Sequence, residues 1–299
     1  MSFEQLNSHC YFYKSSVNIG YVHQGAHGLL IDAGIDRSSV KKVLKELKKR
    51  ELPLTHMIIT HAHADHYGGA QYVQENFDVH TTAPFMEEAI LRYPQLEPLY
   101  LLGGNNPLPE LQNKFLQGPP VQIDRVIEEG SVSFGEIHAN TYLLPGHSYH
   151  QLAMNVHGIL FAADAYFGEA MLSKHKIPYI TDAGLTIRSL DKLKSIDHEG
   201  AVPGHGDFEK DPTSTIDANL AYHKDLLNWL VAYIRLNQEG GVSHEQVISA
   251  MCQEYGVENT QLSQWLLYRT AVTAYLITLK KEGKISDQII DNRWTFFAS

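Results

Sequence analysis

The stretch Thr60-His61-Ala62-His63-Ala64-Asp65-His66-Tyr67-Gly68-Gly69 constrains this chain more than any other. Three imidazoles and a carboxylate fall between His61 and His66, directly after the apolar run Met57-Ile58-Ile59. That order places ionisable side chains where a buried strand emerges, on a rigid edge. Extended backbone would turn His61 and His63 to one face, able to grip one ion, and a turn after them would swing Asp65 and His66 toward a second. Imidazole nitrogen with carboxylate oxygen suits zinc, iron or manganese and disfavours a soft thiolate site. A surface patch in a chain of 17 histidines is the plainer alternative. The small Ala spacers and the terminal Gly-Gly, which suit close backbone packing around an ion, speak against it.

The rest of the chain supplies room for such a site. At 299 residues it can form one large domain or two unequal ones. It has no apolar run long enough for a membrane span, and its start, Met1-Ser2-Phe3-Glu4-Gln5, lacks the basic-then-apolar pattern of a secretory signal, so a cytoplasmic setting is expected. Cys10 and Cys252 are far apart and form no CxxC pair, which indicates neither a disulfide framework nor a cysteine zinc site. A net charge of -10 works against tight binding to polyanions or anionic membranes.

Short strands are expected over His9 to Lys14, Val17 to His23 and Leu29 to Asp32, followed by an amphipathic helix over Ser38 to Arg50 with Val40, Val43, Leu44 and Leu47 inward. Pro53 ends that helix, and His56 to Thr60 is the strand that delivers the histidine cluster. Pro94 to Pro120 reads as a long loop with enough apolar residues to serve as a cover. Strands resume over Val121 to Ile127, Ser131 to Phe134, Ile137 to Leu144, Ala153 to His157 and Ile159 to Ala163, with a helix over Thr186 to Ser195. After about Asp211 the pattern turns helical: Ile216 to Asn237, a helix opened by a Ser243/Gln246 capping box, Leu262 to Glu282, and a terminal hairpin over Lys284 to Phe297. Helices followed by a hairpin suggest a winged-helix-like module.

One cluster cannot complete two ions. Three further strand ends carry a single ligand type beside small residues: Pro145-Gly146-His147, Ala162-Ala163-Asp164 and Pro203-Gly204-His205. Each alone reads more simply as a turn; together with the cluster they form an ordered set.

That set resembles the metallo-beta-lactamase-fold hydrolases over roughly residues 10 to 210: Asp32-Ala33-Gly34, the HxHxDH signature with its Gly-Gly, then Gly-His, a strand-end Asp and Gly-His. The resemblance implies an α/β fold, a four-layer αββα sandwich over residues 1–211, with a small, mainly α, winged-helix-like domain over 212–299. It implies two divalent ions, zinc foremost with iron or manganese as alternatives. One would take His61, His63 and His147, the other Asp65, His66 and His205, with Asp164 bridging. Asp32 would orient a ligand, and Asp65 would also accept a proton during turnover. A metal-bridging hydroxide would then attack a carbonyl.

His63 differs from the flavodiiron branch, which resembles this fold but carries Glu there, and points away from oxygen or nitric oxide reduction. The chain looks more like the glyoxalase II and lactonase side, although the basic glutathione-binding residues expected after His205 are not evident. A small acyl-type substrate, as thioester, lactone or carboxylic ester, is therefore expected. The competing reading is a phosphodiesterase or endoribonuclease on single-stranded RNA, because a winged-helix-like module also follows this fold in such relatives. Seven Lys and Arg against nine Asp and Glu from Thr213 onward make a poor footprint for nucleic acid. A non-catalytic regulator is the third class, and the complete ligand set argues against it. No membrane partner is expected, and a homodimer stays open. Tyr67, Tyr149, His150 and Tyr166 neighbour ligands and are candidates to line the pocket.

Overall fold

A computed structural model of the protein describes residues 2–237, 239–258 and 261–299. Strands β1 (Ser2–Gln5), β2 (Cys10–Lys14), β3 (Ile19–Gln24), β4 (His27–Ile31), β5 (His56–Ile58), β6 (His80–Pro84) and β7 (Arg125–Ile127) form one sheet in sequence order. The strands β8 (Gly130–Phe134), β9 (Ile137–Leu143), β10 (Leu152–Val156), β11 (Ile159–Ala163) and β12 (Gly200–Pro203) form a second, in reverse order. The first four strands pair antiparallel, while β4 to β7 pair parallel, as does β11 with β12.

The crossovers are helices α1 (Arg37–Lys49), α2 (Ala64–Tyr67), α3 (Ala70–Asn76), α4 (Glu87–Arg92) and α5 (Leu96–Leu101) in the first half, then α6 (Glu169–His175) and α7 (Ala183–Leu193). Asp36 caps α1 through a bond from the Ser39 amide, and the buried face is Val40, Val43, Leu44 and Leu47, as the spacing predicts. Burial of these and similar side chains contributes roughly 1.5–3 kcal/mol each.

Three apolar layers result. Phe12, Val22, Leu29 and Ile58 of the first sheet meet Phe134, Met154 and Phe161 of the second. The outer face of the first sheet packs Leu30 and Met57 on Val40 and Val43 of α1. The outer face of the second packs Leu160 and Ala162 on Leu190 and Leu193, together with Ile216 and Leu220 of helix α8 (Thr213–Leu236). The fold is a mixed α/β sandwich, with helices outside two facing sheets.

The C-terminal region continues with β13 (Val242–Ser243), α9 (His244–Glu254), α10 (Leu262–Lys281), β14 (Ile285–Ile290) and β15 (Arg293–Ala298); the strands form a third sheet in the order β13-β15-β14. Ser243 and Gln246 make the expected capping box on α9. Helix α8 spans two cores: its first turns lie on the second sheet, and Leu226, Leu230 and Ile234 join α9, α10 and Phe296. Ile177, Ile180 and Ala183 enter that same core from the sandwich side.

Two expectations change. Only Arg125–Ile127 of the segment Val121 to Ile127 is a strand: the Asp124 amide still reaches the Thr81 carbonyl of β6, but the Val121 amide bonds to the Leu91 carbonyl of α4 instead. Pro94 to Pro120 is not an open loop: it holds α5 and a 3₁₀ turn at Pro109–Leu111, and its Leu101, Leu111 and Leu116 pack on Leu266 of α10. Apolar spacing in this short, Pro-rich segment carries no sign of a partner helix so distant in sequence.

Candidate metal centre

The seven predicted ligands converge at one edge of the sandwich, where strand ends from both sheets meet. His63 has extended backbone, φ -90° and ψ 138°, and caps the single-turn helix α2. The change of conformation there redirects Asp65 and His66, so that His66 stays beside His61 while Asp65 faces His205. Gly68 and Gly69 let this turn seat against the Ala33–Ile35 segment: a Cβ would stand 2.0 Å from the Ile35 carbonyl oxygen at Gly68 and 2.3 Å from that of Ala33 at Gly69.

The second sheet delivers the other ligands. His147 sits in the connection from β9 to β10. The β11–β12 register shifts between Phe161 and Ala163, and Ala163 adopts φ 50°. That kink sets Asp164 against Gly204, where a Cβ would lie 2.0 Å from Asp164 Oδ1. His205 follows directly.

Ligand atoms of three groups lie within 4.8 Å of one another and could hold a metal ion: His61, His63 and His147; His61, His66 and Asp164; and Asp65, His66 and His205. Asp164 stands between the halves, with Oδ2 3.3 Å from both His147 Nε2 and His205 Nε2, and Oδ1 3.3 Å from His66 Nε2. Asp65 Oδ2 is 3.3 Å from His205 Nε2. His63 Nδ1 approaches His147 Nε2 to 2.8 Å.

Four rings are aimed by bonds at their rear nitrogens. His66 Nδ1 faces Asp32 Oδ2 at 2.8 Å, and His61 Nδ1 faces Thr60 Oγ1 at 3.1 Å. His147 Nδ1 meets the Tyr179 carbonyl at 3.0 Å, and His205 Nδ1 meets the Ser16 carbonyl at 2.6 Å. In each pair the ring N–H donates backward, so Nε2 is the atom turned to the centre. Among the described residues the buried His61 Nε2 has no hydrogen-bond partner, and the buried His66 Nε2 and Asp164 Oδ1 have none beyond facing each other at 3.3 Å. Buried polar atoms rarely stay unpaired, and a cation of N/O preference fits all three.

Charge in the cluster divides by side. Burial, reinforced by neighbouring imidazoles, lowers His61 well below the usual histidine range. Burial likewise brings His63 and His147 down to about 4. Burial acts the same way on His66 and His205, but Asp164 and Asp65 outweigh it, raising His66 well above its ordinary value and His205 to about 10. Burial would raise Asp65 and Asp164; the facing His66 and His205 hold both below the usual carboxylate range instead.

Asp32 adopts φ 62°, a region asparagine and aspartate tolerate, and accepts from the Thr60 amide, the Thr60 hydroxyl and His66. These bonds place Asp32 behind His66, where the resemblance would have it orient a ligand. Sequence reasoning missed Glu87, which is buried on α4 and accepts from the Ala62 amide, the Ser148 hydroxyl and the His150 amide. It ties the histidine cluster to the His147 loop. Asn18 was missed as well; its side-chain amide donates to the Pro203 and Gly206 carbonyls on either side of His205. A buried Glu or Asn at an element end is the sole signal, and it is too common to be diagnostic.

A cavity of about 410 Å³ opens over the centre. His63, Asp65, His147, Asp164 and His205 form its polar face, and Val17, Phe115, Leu116, Phe167, Met171 and Leu267 its apolar walls. Phe115 and Leu116 come from the Pro94–Pro120 segment, which thus does cover the site. The four suggested pocket residues do not line it. Tyr67 is buried and accepts from the Gly118 amide, Tyr166 is buried in the outer core, Tyr149 is exposed, and His150 lines a different depression near Phe85. Tyr179 and the buried Glu97 take their place. A larger groove of about 690 Å³ lies over α1 and α3, away from these residues.

The sequence profile described as the metallo-beta-lactamase superfamily matches residues 13–205. An acyl-coenzyme A thioesterase, MBLAC2 of Gallus gallus, is 28% identical over 213 residues, covering 65% of this chain and 74% of that protein. Among solved structures, a metallo-beta-lactamase family protein from Thermus thermophilus superposes with a TM-score of 0.75 at 18% identity, covering 99% of this chain and 100% of that one. A beta-lactamase domain protein from Burkholderia ambifaria gives 0.74 at 15% identity, covering 99% and 94%. These two share the fold through the C-terminal helices. With its ordered His and Asp residues gathered at one sheet edge, the chain belongs to the metallo-beta-lactamase superfamily and is a metal-dependent hydrolase.

Proposed function

We propose that the centre holds two divalent cations, zinc foremost, and that the protein hydrolyses a carboxylic thioester. His61, His63 and His147 would ligate one ion and Asp65, His66 and His205 the other, with Asp164 shared. The observation that carries this reading is the cavity itself, which sets the convergent His and Asp face against an apolar wall. The 28% identity with an acyl-coenzyme A thioesterase supports the thioester among carbonyl substrates. When bound, the ions would supply a water of lowered pKa and polarise the carbonyl oxygen.

The chain's own residues do the rest. Asp65 is half-buried and faces the cavity, so its carboxylate can take the proton released as the new C–O bond forms. The same proton passes to sulfur as the C–S bond breaks, giving a carboxylic acid and a thiol. Phe115, Leu116, Phe167 and Met171 hold the acyl portion and keep bulk water away from the carbonyl. Asp32 keeps the His66 ring in place, and Glu87 holds the two ligand-bearing loops in register.

The C-terminal order, helix, strand, two helices and a hairpin, supports a winged-helix-like module beginning near residue 212, with α8 shared by both cores. A reducing, cytoplasmic setting accords with two free thiols, Cys10 buried and Cys252 half-buried. No helix of the described residues is long and apolar enough to cross a membrane.

The test uses purified protein with its metals counted, against an aryl ester, an acyl thioester, a lactone, a bis-aryl phosphodiester and single-stranded RNA. Thioester turnover that disappears on chelation and returns on metal addition is the expected result. Turnover of phosphodiesters alone would replace this reading with the nuclease one.

A further inference from the structure

We infer that a second cavity beside the metal centre is the subsite for the thiol arm of the substrate, and that Lys174 recognises an anionic group on that arm. The inference rests on the thioester reading. The second cavity measures about 310 Å³ and shares four wall residues with the first: Lys174, His175, Tyr179 and Leu267. The two are therefore neighbours across one wall, with the ligand face on one side and the ends of α6 and α10 on the other.

Their chemistry differs. The first cavity is walled by aromatic and aliphatic side chains around the His and Asp face. The second adds Lys176, Gln264, Tyr268 and Glu258, groups that can pair with amides, hydroxyls and phosphates. A thioester carbonyl bears two substituents, and with the carbonyl at the ligand face the shared wall at Lys174, His175, Tyr179 and Leu267 is where one of them would pass toward the second space. The apolar walls suit the acyl chain. The polar cavity suits a thiol that continues into an amide-bearing arm ending in phosphate.

Within this wall the two lysines are not equivalent. Lys176, in left-handed backbone at φ 59°, donates to the Gly256 carbonyl and so braces α6 against the C-terminal region. Tyr222 fixes the same point by donating to the Lys176 carbonyl at 2.6 Å. Lys174 forms no ion pair with the described residues, and it lines both cavities. His175, in the shared wall, adds a buried Nε2 that has no hydrogen-bond partner among the described residues. Glu258, also in the wall of this cavity, would repel an anion placed near it, which favours a phosphate at Lys174.

The test compares the metal-loaded, full-length protein with Lys174→Glu and with Lys45→Glu, a charge control on the distant face of α1. Calorimetry measures binding of coenzyme A, a thiol with a phosphate-terminated arm. Kinetics compares one acyl group carried on coenzyme A with the same group on N-acetylcysteamine, which lacks the phosphates. Expected are a coenzyme A Kd about tenfold weaker in Lys174→Glu and a similar fall in the ratio of kcat/KM for the long thioester over the short one, with Lys45→Glu like the parent. An unchanged Kd and an unchanged ratio in Lys174→Glu overturn the subsite even if thioesters are hydrolysed. Coenzyme A binding that depends on Lys174, without any thioester turnover, upholds the subsite and sinks the reaction reading instead.

Discussion

His66 Nδ1 donates to Asp32 Oδ2 at 2.8 Å, and both side chains are buried. The same carboxylate accepts from the Thr60 amide and hydroxyl, so three donors converge on two oxygens. Asp32→Asn fits the left-handed backbone but presents an amide N–H to at least one of these donors. We expect metal affinity at the second half of the centre to fall about 10–100-fold, with a stability loss of about 1–3 kcal/mol. Metal counting by mass spectrometry under native conditions and a denaturant melt check both; retention of two ions at full affinity would refute the orienting role.

Glu87 holds three donors from two loops: the Ala62 amide of one, and the Ser148 hydroxyl and His150 amide of the other. Glu87→Ala strands all three in a buried setting. A loss of about 3 kcal/mol is expected, with turnover falling because His61 and His147 lose their fixed spacing. Glu87→Gln, which retains an acceptor, should recover part of the stability. Equal melting temperatures for parent and Glu87→Ala would show that the clamp contributes nothing.

Metal loading should release protons from one side of the centre only. His66 is held well above the ordinary histidine range and His205 at about 10, so both carry protons at pH 7 that a cation must displace. His63 and His147 lie near 4 and His61 well below its ordinary value, so they are already neutral. Filling the second half should release about two protons and its apparent affinity should rise with pH toward pH 10, while the first half stays nearly flat above pH 5. Calorimetry in buffers of different ionisation enthalpy measures the release. Identical pH slopes for the two binding events would contradict the charge division.

Glu97 is buried, its Oε2 has no hydrogen-bond partner among the described residues, and burial first, then Asp65 and Glu87, raises its pKa well above the ordinary glutamate value. A carboxyl raised on folding binds its proton more tightly in the native state. Its contribution is therefore intact below the usual glutamate range near pH 4.5 and diminishes as pH rises toward the folded value. Glu97→Gln should gain stability over the parent progressively above pH 5. Melts of both proteins across pH 5 to 8 test this, and a constant difference would count against it.

Much of the centre was legible because its spacing is local. From His61 to His66 the chain changes from extended to helical within one turn, and that change gathers three imidazoles and a carboxylate at one point with different headings. The Gly-His and strand-end Asp segments were legible for a related reason: small residues at the end of a buried run mark where a backbone comes close to something, as Gly204 does to Asp164. The α1 face and the α9 capping box were read from periodicity and cap chemistry, which also act over a few residues.

Glu87, Asn18, Glu97 and Tyr179 were not legible. Asn18 reaches Pro203 across 185 positions, and Glu87 reaches Ser148 across 61. Such distances close only when two sheets pack face to face, and no local pattern encodes which helix end then lies beside which loop. The Pro94–Pro120 segment folds onto α10 for the same reason, and through Phe115 and Leu116 it shapes the acyl wall. The types of ligand and their order were written in the linear chain, because they depend on neighbours a few residues away. The residues that brace the ligands and the form of the cavities were set by packing, because they depend on neighbours in space.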